Sequence, residues 1–333
     1  MSVSYTSIGW NGAKKAYDKT IVIALTTFLA LFAGVGLAAH NDATVETILI
    51  RALALAAFLM LHVILSIGPL CRLDPRFLPL LYNRRHLGVT MFLVALAHAV
   101  FAIVQFHAQG NVNPLVSLLT TGTGFQTFGL AALIILFLMA ATSHDFWLAN
   151  LGPRAWKKLH MGVYFAYALI VIHVALGALH SEEHPVLAIG TGVGMAWLLS
   201  LHVVAGLRER KGDRDTERVE DGWIDAGPVD TFEDGRARIV CAGERIAVFR
   251  YDGKISAVSN VCRHQNGPLG EGRVIDGCIT CPWHGYQYLP GNGRSPAPFT
   301  EKVATFDVLV VGGRVYVNPV AHEPGTPVAP AYV

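Results

Sequence analysis

The segment Cys262-Arg263-His264, with Cys281-Pro282-Trp283-His284 after sixteen intervening residues, decides how the last third of the chain is read. Two thiols and two imidazoles in this mixed order are a donor set for a [2Fe-2S] cluster, with Cys262 and Cys281 on one iron and His264 and His284 on the other. Neutral imidazoles remove negative charge from such a cluster and raise its potential above that of an all-Cys site. The flanks agree, because Gly267-Pro268-Leu269-Gly270 and Gly285 stand where tight turns must bring backbone close to sulfur. Zinc is the competing reading, but its pairs usually come as Cys-x2-Cys with His-x3-His rather than as two mixed pairs. The chemistry implied is single-electron transfer.

Outward from this segment the composition changes. Hydrophobic residues make up 53% of the chain and charged residues 15%, well under the roughly one quarter usual in soluble domains. The apolar excess lies before Arg208, whereas the remainder has ordinary charge, strand-like alternation and frequent Gly/Pro turns. Two domains in different solvents follow. Six apolar runs have lengths near the ~20 residues that cross a hydrocarbon core: Ile21 to Ala39, Ala52 to Leu70, Leu87 to Phe106, Gly124 to Ala141, Met161 to His180 and Val186 to Leu207. The first is read as a retained helix, because it follows a polar segment and lacks a small-residue cleavage site. The fold class expected is an all-α six-helix transmembrane bundle over residues 1–207, a charged linker over 208–221, a small all-β domain over 222–320, and a Pro/Ala-rich tail over 321–333.

Basic residues order the loops. Lys14, Lys15 and Lys19, then Arg72, Arg76, Arg84 and Arg85, then Arg154, Lys157 and Lys158, and finally Arg208, Arg210 and Lys211 all fall on one side. The opposite loops hold Asp42, Glu46, Glu182 and Glu183, with Arg51 as their basic residue. By the positive-inside rule both termini and the cluster domain are cytoplasmic, which points to a bacterial inner-membrane protein crossing several times. That compartment disfavours disulfides among Cys71, Cys241 and Cys278, and Cys278 is read as a packed strand thiol.

An imidazole in hydrocarbon must be neutral and either hydrogen-bonded or coordinated, so intramembrane histidines are functional candidates. His86 and His98 are twelve residues apart on the third run, ~18 Å along a helix, and His160 and His173 are thirteen apart on the fifth, ~20 Å. Both runs enter from the basic side, so their histidines form rungs at matching depths. Two stacked b-type haems with paired axial histidines fit this pattern, and six-coordinate iron suits electron relay. His98 and His173 make the outer pair. His160 is the inner ligand, with either His86 or His62 as its partner; a propionate contact or a quinone pocket is the other role open to His62. Hydrogen bonding between helices is the bland alternative for each histidine taken singly.

The membrane half resembles the ferric reductase-like transmembrane family, and within it the haem-binding subunit of the bacterial periplasmic methionine sulfoxide reductase system. Arg84-Arg85-His86-Leu87-Gly88 leading to His98, and Trp156, Lys157, Leu159, His160, Tyr164 and His173, carry the resemblance. It covers residues 15 to 207 and implies haem ligation by His98, His160 and His173. Residues 222 to 320 resemble a Rieske ferredoxin domain of the dioxygenase and nitrite reductase type, with Cys262, His264, Cys281 and His284 in the ligand places. Quinol-oxidising Rieske proteins have an extra Cys in each ligand loop and a Ser after His-Gly that bonds a bridging sulfide; here Gly267 and Trp283 stand in those regions, and Tyr286 follows His-Gly. Fewer hydrogen bonds to sulfur imply a potential of about −150 to 0 mV.

No nucleotide fingerprint is found, because Gly190-x-Gly192-x-Gly194 lies in an apolar run where small residues serve close helix packing. A separate cytosolic reductase or dehydrogenase must then load the cluster. The function expected is that of an oxidoreductase component, an electron conduit from a cytosolic donor to a periplasmic protein or quinone acceptor. A self-sufficient ferric or quinone reductase and a redox anchor subunit of a larger complex are the alternatives. Membrane lipid is an expected partner and nucleic acid is not.

Overall fold

A computed structural model describes residues 12–39, 44–81, 83–108, 113–181, 185–214, 217–218, 222–264, 267–282 and 285–333. These form two compact units: 1–68 with 83–201, and 69–82 with 202–333.

In the first unit, and running into the second, lie six helices long and apolar enough to cross a membrane, and they correspond to the six runs read from the sequence. They are built from α1 (Gly12–Ala39), α2 (Val45–Leu73), α3 (Arg84–His107), α5 (Gly124–Ala141), α6 (Asp145–His160) with α7 (Gly162–Leu176) and α8 (Ala178–Ser181), and α9 (Val186–Arg214). A helix suits such sequences because it satisfies every backbone polar group within the segment, where lipid offers no partner.

Two features depart from the expected layout. An extra short helix, α4 (Pro114–Thr121), occupies the uncharged stretch after α3. Its signals are local: Asn113 accepts a hydrogen bond from Leu115 N at 2.9 Å, and Pro114 opens the first turn. The fifth span is also not one helix. A break at Met161 separates α6 from α7, so His160 ends one helix and His173 lies on the next. The break is slight, with Met161 N still bonded to Lys157 O at 2.9 Å. Thr123 and Gln126 form a capping box that starts α5 just after the loop.

The bundle packs around Leu61 and Leu65 of α2, Met91 and Phe92 of α3, Leu136 of α5, Ala166 of α7 and Leu198 of α9. Two glycines set its closest approaches. A methyl at Gly129 would stand 2.8 Å from His173 Nδ1, and one at Gly194 would stand 2.7 Å from His62 Nε2. Gly190 and Gly192 face open space, so only the third glycine of the Gly-x-Gly-x-Gly stretch serves close packing.

The second unit contains the end of α2, the 3-10 turn Pro75–Leu81, the end of α9 and the β domain. One antiparallel sheet has the order β1 (Glu217–Arg218), β2 (Ile224–Pro228), β11 (Arg314–Val317), β10 (Val308–Val311). A second has the order β12 (Ala331–Tyr332), β5 (Lys254–Ser259), β4 (Glu244–Tyr251), β3 (Ala237–Ala242), with β9 (Thr305–Phe306) also paired to β5. A third consists of β6 (Arg273–Ile275), β7 (Cys278–Thr280) and β8 (Gln287–Tyr288). Asp252-Gly253 and Asp276-Gly277 have positive φ at both positions and close two-residue hairpins. Fully buried Ile224, Ile246, Val248, Ile255 and Phe306 fill the space between the first two sheets.

The segment after Arg208 is helical to Arg214. The C-terminal stretch is likewise no loose tail. Val328 N bonds Gly291 O at 2.8 Å, Val333 N bonds Gly253 O at 3.0 Å, and β12 pairs with β5.

Candidate metal centres

Two loops of the β domain carry the residues expected to hold the cluster. The first leaves β5, carries Cys262 and His264, and is pinned by Cys262 N to Gly267 O at 2.9 Å and by a bridge between Val261 and Pro268. The second runs from β7 to β8. Cys281 N bonds Tyr286 O at 2.7 Å, and Gly285 N bonds Cys281 O at 3.0 Å, with Gly285 at a φ of 69°. That left-handed position suits glycine and lets the loop fold back tightly.

Both thiols are buried, at 1% exposure for Cys262 and 3% for Cys281, and none of the described cysteines forms a disulfide. His264 Nδ1 is shielded from solvent. His284 and Trp283 lie outside the described residues. Two buried thiols beside an imidazole with a shielded nitrogen fit a mixed Cys/His [2Fe-2S] cluster, as soft sulfur and imidazole donors suit iron–sulfur chemistry. Cys278 stays apart on β7 opposite Ile275, its pKa raised by burial and by Asp276.

The surroundings of the loops were not read from the sequence. Tyr288 is fully buried and its hydroxyl lies 3.4 Å from Cys262 Sγ while accepting from Arg263 N at 3.0 Å. A phenol there can donate to the Cys262 sulfur, a contact that the sequence reading did not include. Burial pushes the Tyr288 phenol up, and Cys262 pushes it further, which keeps the proton on oxygen. Tyr286 lies flat against His264, with ring centroids 4.8 Å apart and planes 9° apart. Its hydroxyl donates to Glu301. Burial and then Glu301 raise its pKa. The usable signal was the two-residue spacing of Tyr286 and Tyr288, which puts both side chains on one side of an extended segment.

In the same unit, Glu209 accepts from Arg72 and from Arg245, each at 3.3 Å. Glu271, on the 3-10 turn Leu269–Glu271, is raised to about 7 by burial and by Glu209, against the opposing pull of Arg72 and Arg245.

The bundle brings His98 of α3 and His173 of α7 opposite each other, with ring centroids 6.3 Å apart and planes 74° apart. Two axial imidazoles on one iron need about 6 Å between ring centres, given metal–nitrogen bonds of about 2 Å. Each ring is oriented through Nδ1, for His98 to Ile50 O at 3.1 Å and for His173 to Phe125 O at 2.7 Å. A histidine that donates Nδ1–H to a carbonyl keeps Nε2 as the lone-pair nitrogen for a metal. The residues therefore fit a haem held between α3 and α7.

The inner histidines are arranged differently. His160 stacks on Trp156 at 3.7 Å, bonds Trp156 O through Nδ1 at 3.1 Å, and has a buried Nε2 with no hydrogen-bond partner. His86 Nδ1 meets Asp18 Oδ2 at 2.9 Å, and Asn83 holds the same carboxylate at 2.6 Å. His62 has both nitrogens engaged, Nδ1 with Phe58 O at 2.9 Å and Nε2 with the Tyr167 hydroxyl at 3.1 Å. That leaves no ring nitrogen of His62 for iron in this arrangement. Asp18 and Tyr167 carried no sequence signal, because their roles depend on helix neighbours.

A profile of the Rieske [2Fe-2S] domain matches residues 222–307, and a profile of the ferric reductase like transmembrane component matches residues 50–171. The chain belongs to the Rieske [2Fe-2S] family and joins that domain to a ferric reductase-like membrane component. It is 37% identical over 105 residues to the anthranilate 1,2-dioxygenase ferredoxin subunit of Burkholderia cepacia, covering 31% of this chain and 97% of that protein. It is 31% identical over 159 residues to a cholesterol 7-desaturase of Ciona intestinalis, covering 43% of this chain and 31% of the desaturase. Among solved structures, the complex of reduced oxygenase and oxidised ferredoxin in carbazole 1,9a-dioxygenase contains a chain 27% identical, covering 30% of this chain and 96% of that one, at a TM-score of 0.29. The protein is thus a multi-pass membrane component of oxidoreductase type with a redox or electron-transfer role.

Proposed function

We propose that the chain is a transmembrane electron conduit of the bacterial cytoplasmic membrane, taking electrons from a cytosolic reductase or dehydrogenase and delivering them to a periplasmic protein or a quinone. A [2Fe-2S] cluster and b-type haems supply one-electron redox capacity when bound. Cys262, Cys281, His264 and His284 hold the cluster. His98 and His173 hold the outer haem, and their facing rings with both Nδ1 atoms anchored are the observation that carries this reading.

His160 holds the inner haem, supported by its buried, unpartnered Nε2. His86 is its better partner, because Asp18 takes only Nδ1 and keeps the ring in the tautomer that leaves Nε2 for metal. His62 serves instead as a structural pin between α2 and α7 through Tyr167. The resemblance to the haem-binding subunit of the sulfoxide reductase system is in keeping with His98, His160 and His173 as ligands and does not extend to His86, which stands at a place usually apolar there.

The distribution of basic loops supports a cytoplasmic location for the termini and the Rieske domain. Outward flow then gains ~2.3 kcal/mol per 100 mV of membrane potential for each electron.

A pyridine haemochrome and iron assay on purified full-length protein tests the cofactor set. About two haems and two non-haem irons per chain are expected. Colourless protein, or haem that stays oxidised when reductant reaches only the iron–sulfur centre, overturns the conduit.

A further inference from the structure

We propose that Tyr286 and Glu301 act as a pair that fixes the His264 ring and lowers the reduction potential of the [2Fe-2S] centre. Tyr286 is 4% exposed, and its ring covers one face of the His264 imidazole in an offset stack at 4.8 Å. Phe299 at 4.9 Å and Tyr288 at 5.5 Å hold that ring from other sides, so it cannot turn away. The hydroxyl donates to Glu301, whose carboxylate also accepts from Thr300 N at 3.1 Å.

The consequence is electrostatic. A hydroxyl directed at cluster sulfur offsets the negative charge gained on reduction and raises the potential. Here the Tyr286 hydroxyl is directed to a carboxylate, so the centre loses that donor and gains a nearby negative charge. The Tyr286 ring lies on His264 and its hydroxyl reaches Glu301, so the carboxylate stands one phenol ring away from a ligand of the centre. Like charges disfavour each other at such range, so the carboxylate opposes arrival of an electron. Tyr288 works in the other direction through Cys262 Sγ. The two tyrosines thus bracket the potential from opposite sides.

Midpoint potentials of the cluster in the full-length protein, followed by electron paramagnetic resonance, decide the matter. Glu301→Gln, which removes the charge, and Tyr286→Phe, which releases the carboxylate from its place beside the ring, are each expected to raise the reduced-to-oxidised ratio at a fixed poise about threefold, ~28 mV for one electron. Glu301→Asp keeps the charge and should stay near wild type. Tyr286→Leu should also change the g-values of the reduced cluster, since the His264 ring is no longer held flat. Ratios unchanged in both isosteric variants, or moved toward the oxidised form, overturn the inference. It rests on the cluster loops alone, so failure of the haem assignments leaves it standing, and its own failure leaves them untouched.

Discussion

Gly129→Ala tests the outer haem site through a residue that touches no iron. The added methyl would lie 2.8 Å from His173 Nδ1 and 2.9 Å from Cε1, where ordinary contact begins at 3.4 Å, so the ring or α5 must yield by about 0.6 Å. The ring cannot yield freely, because Nδ1 is tied to Phe125 O of the same α5 helix at 2.7 Å. Overpacking of this kind costs about 1–3 kcal/mol, and weakening the carbonyl bond adds about 1 kcal/mol. Alanine's better helix propensity returns up to ~1 kcal/mol. The remainder, about 1–3 kcal/mol, falls on haem binding and corresponds to roughly a tenfold to hundredfold loss of affinity. Transfer of haem from the purified protein to apomyoglobin reports it, with Gly190→Ala as control because that glycine faces open space. Equal transfer rates and identical low-spin spectra in the two variants would refute a His173 ligand held by α5.

Tyr288→Phe removes the donor to Cys262 Sγ and should lower the cluster potential by about 40 mV, the equivalent of ~1 kcal/mol for one electron, in a redox titration. Glu271 titrates at about 7 in the folded protein, above the ordinary carboxyl near 4.5. Its raised pKa favours the folded state fully below about 4.5, and the advantage is lost as pH rises through 7, with an upper size of ~3 kcal/mol. Thermal loss of the cluster's circular-dichroism bands should therefore occur earlier at pH 8 than at pH 5, and Glu271→Gln should flatten that difference. Gly194→Ala should disturb the bundle by pressing on His62, while Gly192→Ala should not, as judged by melting of the detergent-solubilised protein.

The six spans were legible because a run of about 20 apolar residues, in a chain with this little charge, matches the thickness of a bilayer and little else. The β domain was legible in part from its strand-like alternation and frequent Gly/Pro turns, although the Asp252-Gly253 and Asp276-Gly277 hairpins were not singled out. His98 and His173 stood out in the sequence because imidazole inside hydrocarbon is costly unless engaged. The inner site was harder. Depth along a helix could not distinguish His86 from His62, and only the Asp18 carboxylate and the Tyr167 hydroxyl separate them. Tyr288 was missed as an influence on the cluster and Tyr286 was read only as an absent donor, since a tyrosine's effect depends on where its hydroxyl ends, and Glu301 is distant in sequence. The break at Met161 was not read, although Gly162 directly after it is a poor helix former.

The pairing of Ala331-Tyr332 with Ile255-Lys254 completes an otherwise open sheet border. An unguarded border of that kind is a template for strand addition by neighbouring molecules. A chain shortened by its last few residues should therefore keep its metal ligands yet show a new tendency to self-associate, and bulky fusions at the carboxyl end would compete with the same closure.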